Sequence, residues 1–302
     1  MTSNYKTTHI LTIEPEMFWS GRSSSSPIDV EFDIDGNILI CNSTDEILKF
    51  NEDGKFLSRL SIGYDRKICG ISCNENGEIY MTDDKAKEVI VCDDEGQITF
   101  NFPVNGKSSD YEPNTMTLGG LVVSKEDGMV FVVDQESNHV LRFSKDAKLL
   151  NEISYGSNHG KGTIRSAQYV ALDASYNVLV NDSQQNRVQV FRPDGQFVRS
   201  LRGSRHPGTS LEYFNQPSGI AVFENGHVAV GCQSGLFACK NTSYGPIVRR
   251  FDDKNSANGI LGTKGIAATK GNTMAVALAM QDAESTIELF KYDLAVKEET
   301  EC

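Results

Sequence analysis

The chain lacks most of the residue patterns that announce chemistry. It has five histidines, His9, His139, His159, His206 and His227, and no two are spaced as ligands of one metal ion. Its seven cysteines, Cys41, Cys69, Cys73, Cys92, Cys232, Cys239 and Cys302, contain no Cys-x-x-Cys pair. Their odd number and irregular spacing point to reduced thiols rather than a disulfide framework. No Gly-x-Ser-x-Gly elbow and no phosphate-cradling Gly-x-x-x-x-Gly-Lys loop occurs. On this evidence the sequence predicts no catalytic residue, no metal and no cofactor. It also has no apolar run near the roughly 18 residues that cross a bilayer, and residues 1–14 lack the apolar core of a secretory signal. The expected address is therefore cytoplasmic, without membrane attachment, and the Asn-x-Ser/Thr sequons at Asn42, Asn181 and Asn241 are read as chance.

What the chain does have is a repeat, and a period of 20 to 50 residues decides the fold before any single element does. Turn pairs Asp35-Gly36, Asn76-Gly77, Asp127-Gly128, Tyr176-Asn177, Asn225-Gly226 and Lys270-Gly271 recur every 41 to 51 residues. Between them lie short segments rich in β-branched and aromatic residues. Asp-Gly and Asn-Gly pairs accept positive φ cheaply and close tight hairpins. Each unit thus reads as a four-stranded meander. Such a sheet buries too little alone and exposes raw edges, so successive units must pack around an axis until the ring closes. The predicted fold is all-β, a six-bladed propeller forming a single domain over 1–302. Its blades fall at about 28–62, 70–102, 120–156, 169–203, 219–251 and 265–292, and a flexible tail occupies 293–302. The sixth unit shows only three strands, and the missing one is expected from residues 8–13, which would close the ring.

Two stretches carry a family likeness. Gln216-Pro-Ser-Gly-Ile-Ala-Val222, and Val180-Asn-Asp-Ser-Gln-Gln-Asn-Arg-Val-Gln-Val-Phe191, resemble the opening and central strands of NHL repeats. Unit three keeps Asp134, Asn138 and Val140-Leu-Arg-Phe143, with His139 in place of the arginine. The other units keep the rhythm without the signature. A WD40 propeller is not supported, because no strand ends in Trp-Asp and the one tryptophan is Trp19. The resemblance implies a module like the NHL domain of tripartite-motif ubiquitin ligases, which recognises protein or RNA. No RING or B-box pattern is present, so the resemblance implies a non-catalytic recognition scaffold with protein partners. It also implies that Asp134, Asn138, Asp182, Asn186 and Arg187 are structural members of the blade signature.

Charge bears on the choice of partner. The net charge of −12 argues against DNA and generic polyanions. Residues 136–250, however, hold 13 basic and 8 acidic side chains. In the propeller scheme Lys161, Arg165, Arg202, Arg205 and His206, with Tyr155 and Tyr213, fall on the long-loop face of blades three to five. There they form the candidate binding surface for a protein, or alternatively for single-stranded RNA by stacking and phosphate pairing. A solvated rim accounts equally well for scattered surface arginines. A second alternative is a metal-dependent lactonase-like enzyme, since six-bladed propellers also house lactonases and a zinc lyase whose ligands converge on the central channel.

Overall fold

A computed structural model describes residues 5–14, 26–105, 116–153, 162–202, 214–233, 235–242, 247–250, 260–268, 273–280 and 286–294. The chain forms six four-stranded antiparallel sheets. Strand β1, Tyr5–Ile13, stands apart in sequence. Blade one then comprises β2 (Asp29–Phe32), β3 (Ile38–Cys41), β4 (Glu46–Phe50) and β5 (Phe56–Ser61). Blade two comprises β6 (Ile68–Cys73), β7 (Ile79–Asp83), β8 (Glu88–Cys92) and β9 (Ile98–Pro103). Blade three holds β10 (Leu118–Val123), β11 (Val130–Asp134), β12 (His139–Phe143) and β13 (Leu149–Ile153). Blade four holds β14 (Val170–Leu172), β15 (Val178–Asp182), β16 (Arg187–Phe191) and β17 (Phe197–Leu201). Blade five has β18 (Ile220–Val222), β19 (His227–Cys232), β20 (Gly235–Lys240) and β21 (Ile247–Arg250), and blade six β22 (Ile260–Ala268), β23 (Thr273–Met280) and β24 (Thr286–Leu294).

The sixth sheet is completed by β1, which pairs antiparallel with β24 from Tyr5 opposite Leu294 to Ile13 opposite Ile287. The predicted six-bladed all-β propeller, closed by its own first strand, is therefore what the chain forms. Of the expected tail 293–302, residues 293 and 294 belong to β24, and 295–302 lie outside the described residues. No helix among the described residues is long and apolar enough to cross a membrane.

The sheets stick to one another through six apolar clusters, one at each blade-to-blade contact. Leu39, Cys41 and Ile47 of blade one meet Ile71, Ile79 and Met81 of blade two, and the ring closes where Val30, Ile38 and Leu48 meet Ala275, Ile287, Leu289 and Ile13. Burying one such side chain stabilises the fold by about 1.5–3 kcal/mol. Because the clusters lie between sheets, that stabilisation is available only once neighbouring blades have formed.

Polar clasps fix the spacing. The Thr82 hydroxyl donates to the Gly119 carbonyl at 2.7 Å, joining blade two to blade three, and Asn181 Nδ2 donates to the Pro217 carbonyl at 2.8 Å, joining four to five. The aspartates that recur at the ends of second strands are internal posts. Asp182, wholly buried, accepts from the Arg165 backbone N–H at 3.0 Å, Arg187 Nε at 2.8 Å and Gln189 Nε2 at 3.1 Å. Arg187 also donates to the Thr163 carbonyl at 2.7 Å, so this group pins the segment entering blade four. Asp134 holds Thr117 and Ser137 in the same way, and Asn138 and Asn186 take the left-handed turn that follows. Asp83 occupies the equivalent place in blade two, accepting from the Lys67 and Lys85 N–H groups and from Arg66. The same arrangement thus recurs in blade two, with Lys87 taking the left-handed turn.

One detail of the repeat is corrected. In the hairpins joining the first two strands, the residue at positive φ is Gly36, Gly77, Gly128 or Gly226, and in blade four it is Tyr176, φ +60°, rather than Asn177. The Tyr176 N–H bonds to the Asp173 carbonyl as that of Gly36 does to Asp33. Aligning Asn177 with the glycines is therefore off by one residue.

Candidate functional site

The innermost strands β2, β6, β10, β14, β18 and β22 surround the axis with their unpaired edges. At their N-terminal ends the axis is blocked. A Cβ on Gly70 would come 2.7 Å from Gly120 Cα, and one on Gly119 would come 2.6 Å from the Gln168 carbonyl. Only glycine allows this approach. Tyr169, 9% exposed, reaches from blade four across to blade one and donates from its phenol to the Ile28 carbonyl at 2.7 Å. The same carbonyl accepts from Gly265 N of blade six at 2.9 Å.

Beyond this plug the axis widens into a cavity of about 450 Å³ that opens on the face of the first-to-second-strand hairpins. Its walls are apolar, with Ile71, Leu121, Ala171, Ile220 and Ile266 among them, and its floor includes Asp29 and Tyr169. Glu31 stands on the wall, and Glu75, Lys125, Glu126, Asp173, Tyr176 and Glu224 ring the mouth. The volume lies in the range of small-molecule sites.

Asp29 and Glu31 are two apart on β2 and so share a side of the strand. Asp29 is 5% exposed, with one oxygen accepting from the Val30 N–H at 3.0 Å and the other from the Ile71 N–H at 3.1 Å. Burial raises its carboxyl well above the usual carboxylate range, against the pull of those two donors. Burial raises Glu31 as well, opposed by the Phe32 N–H, the positive charge of Lys125, the Ser72 hydroxyl and the Cys73 N–H. The Tyr169 phenol is raised well above its ordinary value, first by burial and then by the nearby Asp29 charge. At the mouth the Tyr176 phenol is pushed up to about 12, chiefly by the neighbouring Glu126 carboxylate. The funnel therefore presents acids held toward their protonated forms in an apolar setting, the condition for proton transfer near neutral pH.

The surface proposed from sequence is placed elsewhere. Arg165 is half-buried, its backbone tied to Asp182, and Arg202 is exposed at the end of β17. Tyr155, Lys161, Arg205, His206 and Tyr213 lie outside the described residues. Arg165 and Arg202 belong to the loop face, whereas the funnel opens on the opposite face. Sequence reasoning missed Asp29 and Glu31 because neither belongs to a motif. The available signal was a pair of carboxylates in Asp29-Val-Glu-Phe32, an inner strand otherwise expected to be apolar. Among the described residues no group of three His, Cys, Asp or Glu is placed to hold a metal ion. These residues do not fit the donor set of a metal-dependent lactonase.

No protein-family model matches the chain, and no curated protein sequence matches it. Solved structures do. The chain is similar to a streptogramin B lyase, with a TM-score of 0.62 and 12% identity over 97% of this chain and 99% of that one. It is also similar to a catalytically inactive virginiamycin B lyase from Staphylococcus aureus solved with quinupristin, with a TM-score of 0.60 and 13% identity over 95% and 99%. A third match is a protein provisionally named a gluconolactonase, with a TM-score of 0.66 and 11% identity over 97% and 93%. At such identities the likeness establishes the fold alone. It nevertheless corrects the expectation of a non-catalytic, tripartite-motif-like scaffold: these propellers are named as enzymes, and the ground for reading this chain as not an enzyme is gone.

Proposed function

We propose that the chain is an enzyme of the lactonase or lyase type that opens a small cyclic ester within the axial funnel. The observation that carries this reading is Glu31, a carboxyl raised by burial on the wall of an apolar cavity and facing the charge of Lys125. The likeness to propellers named as lyases and a gluconolactonase supports it. In hydrolysis, Glu31 as carboxylate takes a proton from the attacking water as its oxygen bonds to the ring carbonyl carbon. Lys125 offsets the charge on the carbonyl oxygen. When the ring C–O bond breaks, the Glu31 carboxylic acid returns the proton to the departing alkoxide, leaving one carboxylic acid and one alcohol. Asp29 and Tyr169 close the floor and keep bulk water out.

The repeat itself we read as NHL-type, on the strength of the Asp182, Asn186 and Arg187 arrangement in blade four. That concerns the building block and is separate from the reaction.

The test is a panel of γ- and δ-lactones followed by proton release and product mass. Turnover with gain of one water is expected, and Glu31→Gln should lower kcat/KM by about 10²–10⁴ at an unchanged thermal midpoint. No turnover across the panel, or an unimpaired Glu31→Gln enzyme, would sink the proposal.

A further inference from the structure

Tyr176 occupies a place where the fold asks for glycine. The corresponding residue is glycine at positions 36, 77, 128 and 226, with φ between +67° and +82°, whereas Tyr176 sits at +60°. Left-handed backbone is unfavourable for a bulky side chain, and such strain persists where it serves a site. The surrounding packing does not demand the ring, since Tyr176 is only half-buried and lines the mouth of the funnel. In ring order its neighbours are Glu126 of blade three and Glu224 of blade five, and Glu75 of blade two stands on the same rim; all three carboxylates are exposed. Lys125, exposed on the same rim, is the one cation among these residues, and its charge bears on the Glu31 carboxyl. Beside the mouth, Ser124 is 1% exposed, and its hydroxyl, enclosed from solvent, makes no hydrogen bond of proper geometry, although the Tyr176 phenol is near enough to feel it.

We propose that Tyr176 is the ligand-selecting residue of the funnel mouth, where its ring, flanked by the carboxylates of Glu126 and Glu224, receives an alkylammonium group of the substrate. A cation over an aromatic face is favoured by the ring quadrupole, and surrounding carboxylates add to the attraction. Glu126 is close enough to the Tyr176 phenol to raise its pKa, which sets a carboxylate beside the ring. This rests on the funnel being the substrate site, and it names the substrate class.

Titration calorimetry with benzyltrimethylammonium and with neutral benzyl alcohol tests the selection without any turnover. The unaltered protein should bind the cation in preference to the alcohol. Tyr176→Gly should weaken the cation about tenfold, and Tyr176→Phe should retain it. Thermal unfolding separates this role from a structural one: Tyr176→Gly relieves the turn, so its midpoint should hold or rise. No preference for the cation, equal binding by Tyr176→Gly, or a lowered midpoint with binding intact would each overturn the proposal. Because the probe is not a lactone, failure of ring opening in the panel above and failure here are distinguishable.

Discussion

The phenol of Tyr169 and the carbonyl of Ile28 meet at 2.7 Å across the axis, so that opposite blades of the ring are joined by one hydrogen bond. Tyr169→Phe removes the donor while the carbonyl keeps its bond from Gly265 N. The expected loss is about 1 kcal/mol, a fall of a few degrees in thermal midpoint. A drop large enough to unfold the protein at room temperature would show that the phenol does more than close the axis.

Gly265 and Gly226 separate two reasons for glycine. A Cβ at Gly265 would stand 1.8 Å from Asp29 Oδ1 and 2.6 Å from Asp29 Cα. Backbone must move, so Gly265→Ala should cost about 3 kcal/mol or more. At Gly226 nothing lies within 4 Å but φ is +78°, and Gly226→Ala should cost only about 1 kcal/mol from backbone strain. Denaturant midpoints of the two variants rank the effects.

The buried pair of Asp182 and Arg187 should be costly to break from one side. Their side chains are almost wholly enclosed, at 2.8 Å. Asp182→Ala leaves the guanidinium without its carboxylate and should cost about 3–5 kcal/mol. Chemical denaturation measures it, and a loss below about 1 kcal/mol would contradict the role of Asp182 as an internal post.

Two aspartates should give stability profiles of opposite sign against pH. Asp29 is raised on folding, so the folded state binds its proton more tightly. Its contribution is complete below the unfolded carboxylate pKa and is lost as pH rises through the folded value. Asp84 is the reverse: burial alone would raise it, but Lys67, Lys87 and the Leu118 N–H outweigh burial and hold it low. Its contribution is present above the unfolded pKa and lost as pH falls through the folded one. Unfolding free energies measured across acid pH should therefore show a slope that Asp29→Asn and Asp84→Asn change in opposite directions.

The rate should carry the same imprint. With Glu31 raised by burial, the acid limb of kcat/KM is expected above the ordinary carboxylate range and should vanish in Glu31→Gln. A limb at the usual carboxylate value would assign the base to another group.

The ring was legible from sequence because its determinants are local: Asp-Gly and Asn-Gly turns, short β-branched runs, and a strand at 8–13 with no partner in its own neighbourhood. The Asp182 and Arg187 pair was readable for the same reason, five residues apart on adjoining strands. The funnel was not. Asp29 acts on Ile71, Tyr169 on Ile28 and Glu126 on Tyr176, contacts that exist only after blades distant in sequence are brought around one axis. Nor could sequence show which end of the axis is shut, since that depends on Gly70 meeting Gly119 and Gly120, on those two meeting Gln168, and on Gly265 meeting Asp29.

The pairing of β1 with β24 has a consequence for biosynthesis. A nascent chain emerging from the ribosome must hold β1 unpaired until β24 has been made, exposing a sticky edge throughout. Shortening either end of the chain into these strands would damage one and the same sheet, so N- and C-terminal deletions should produce a common defect.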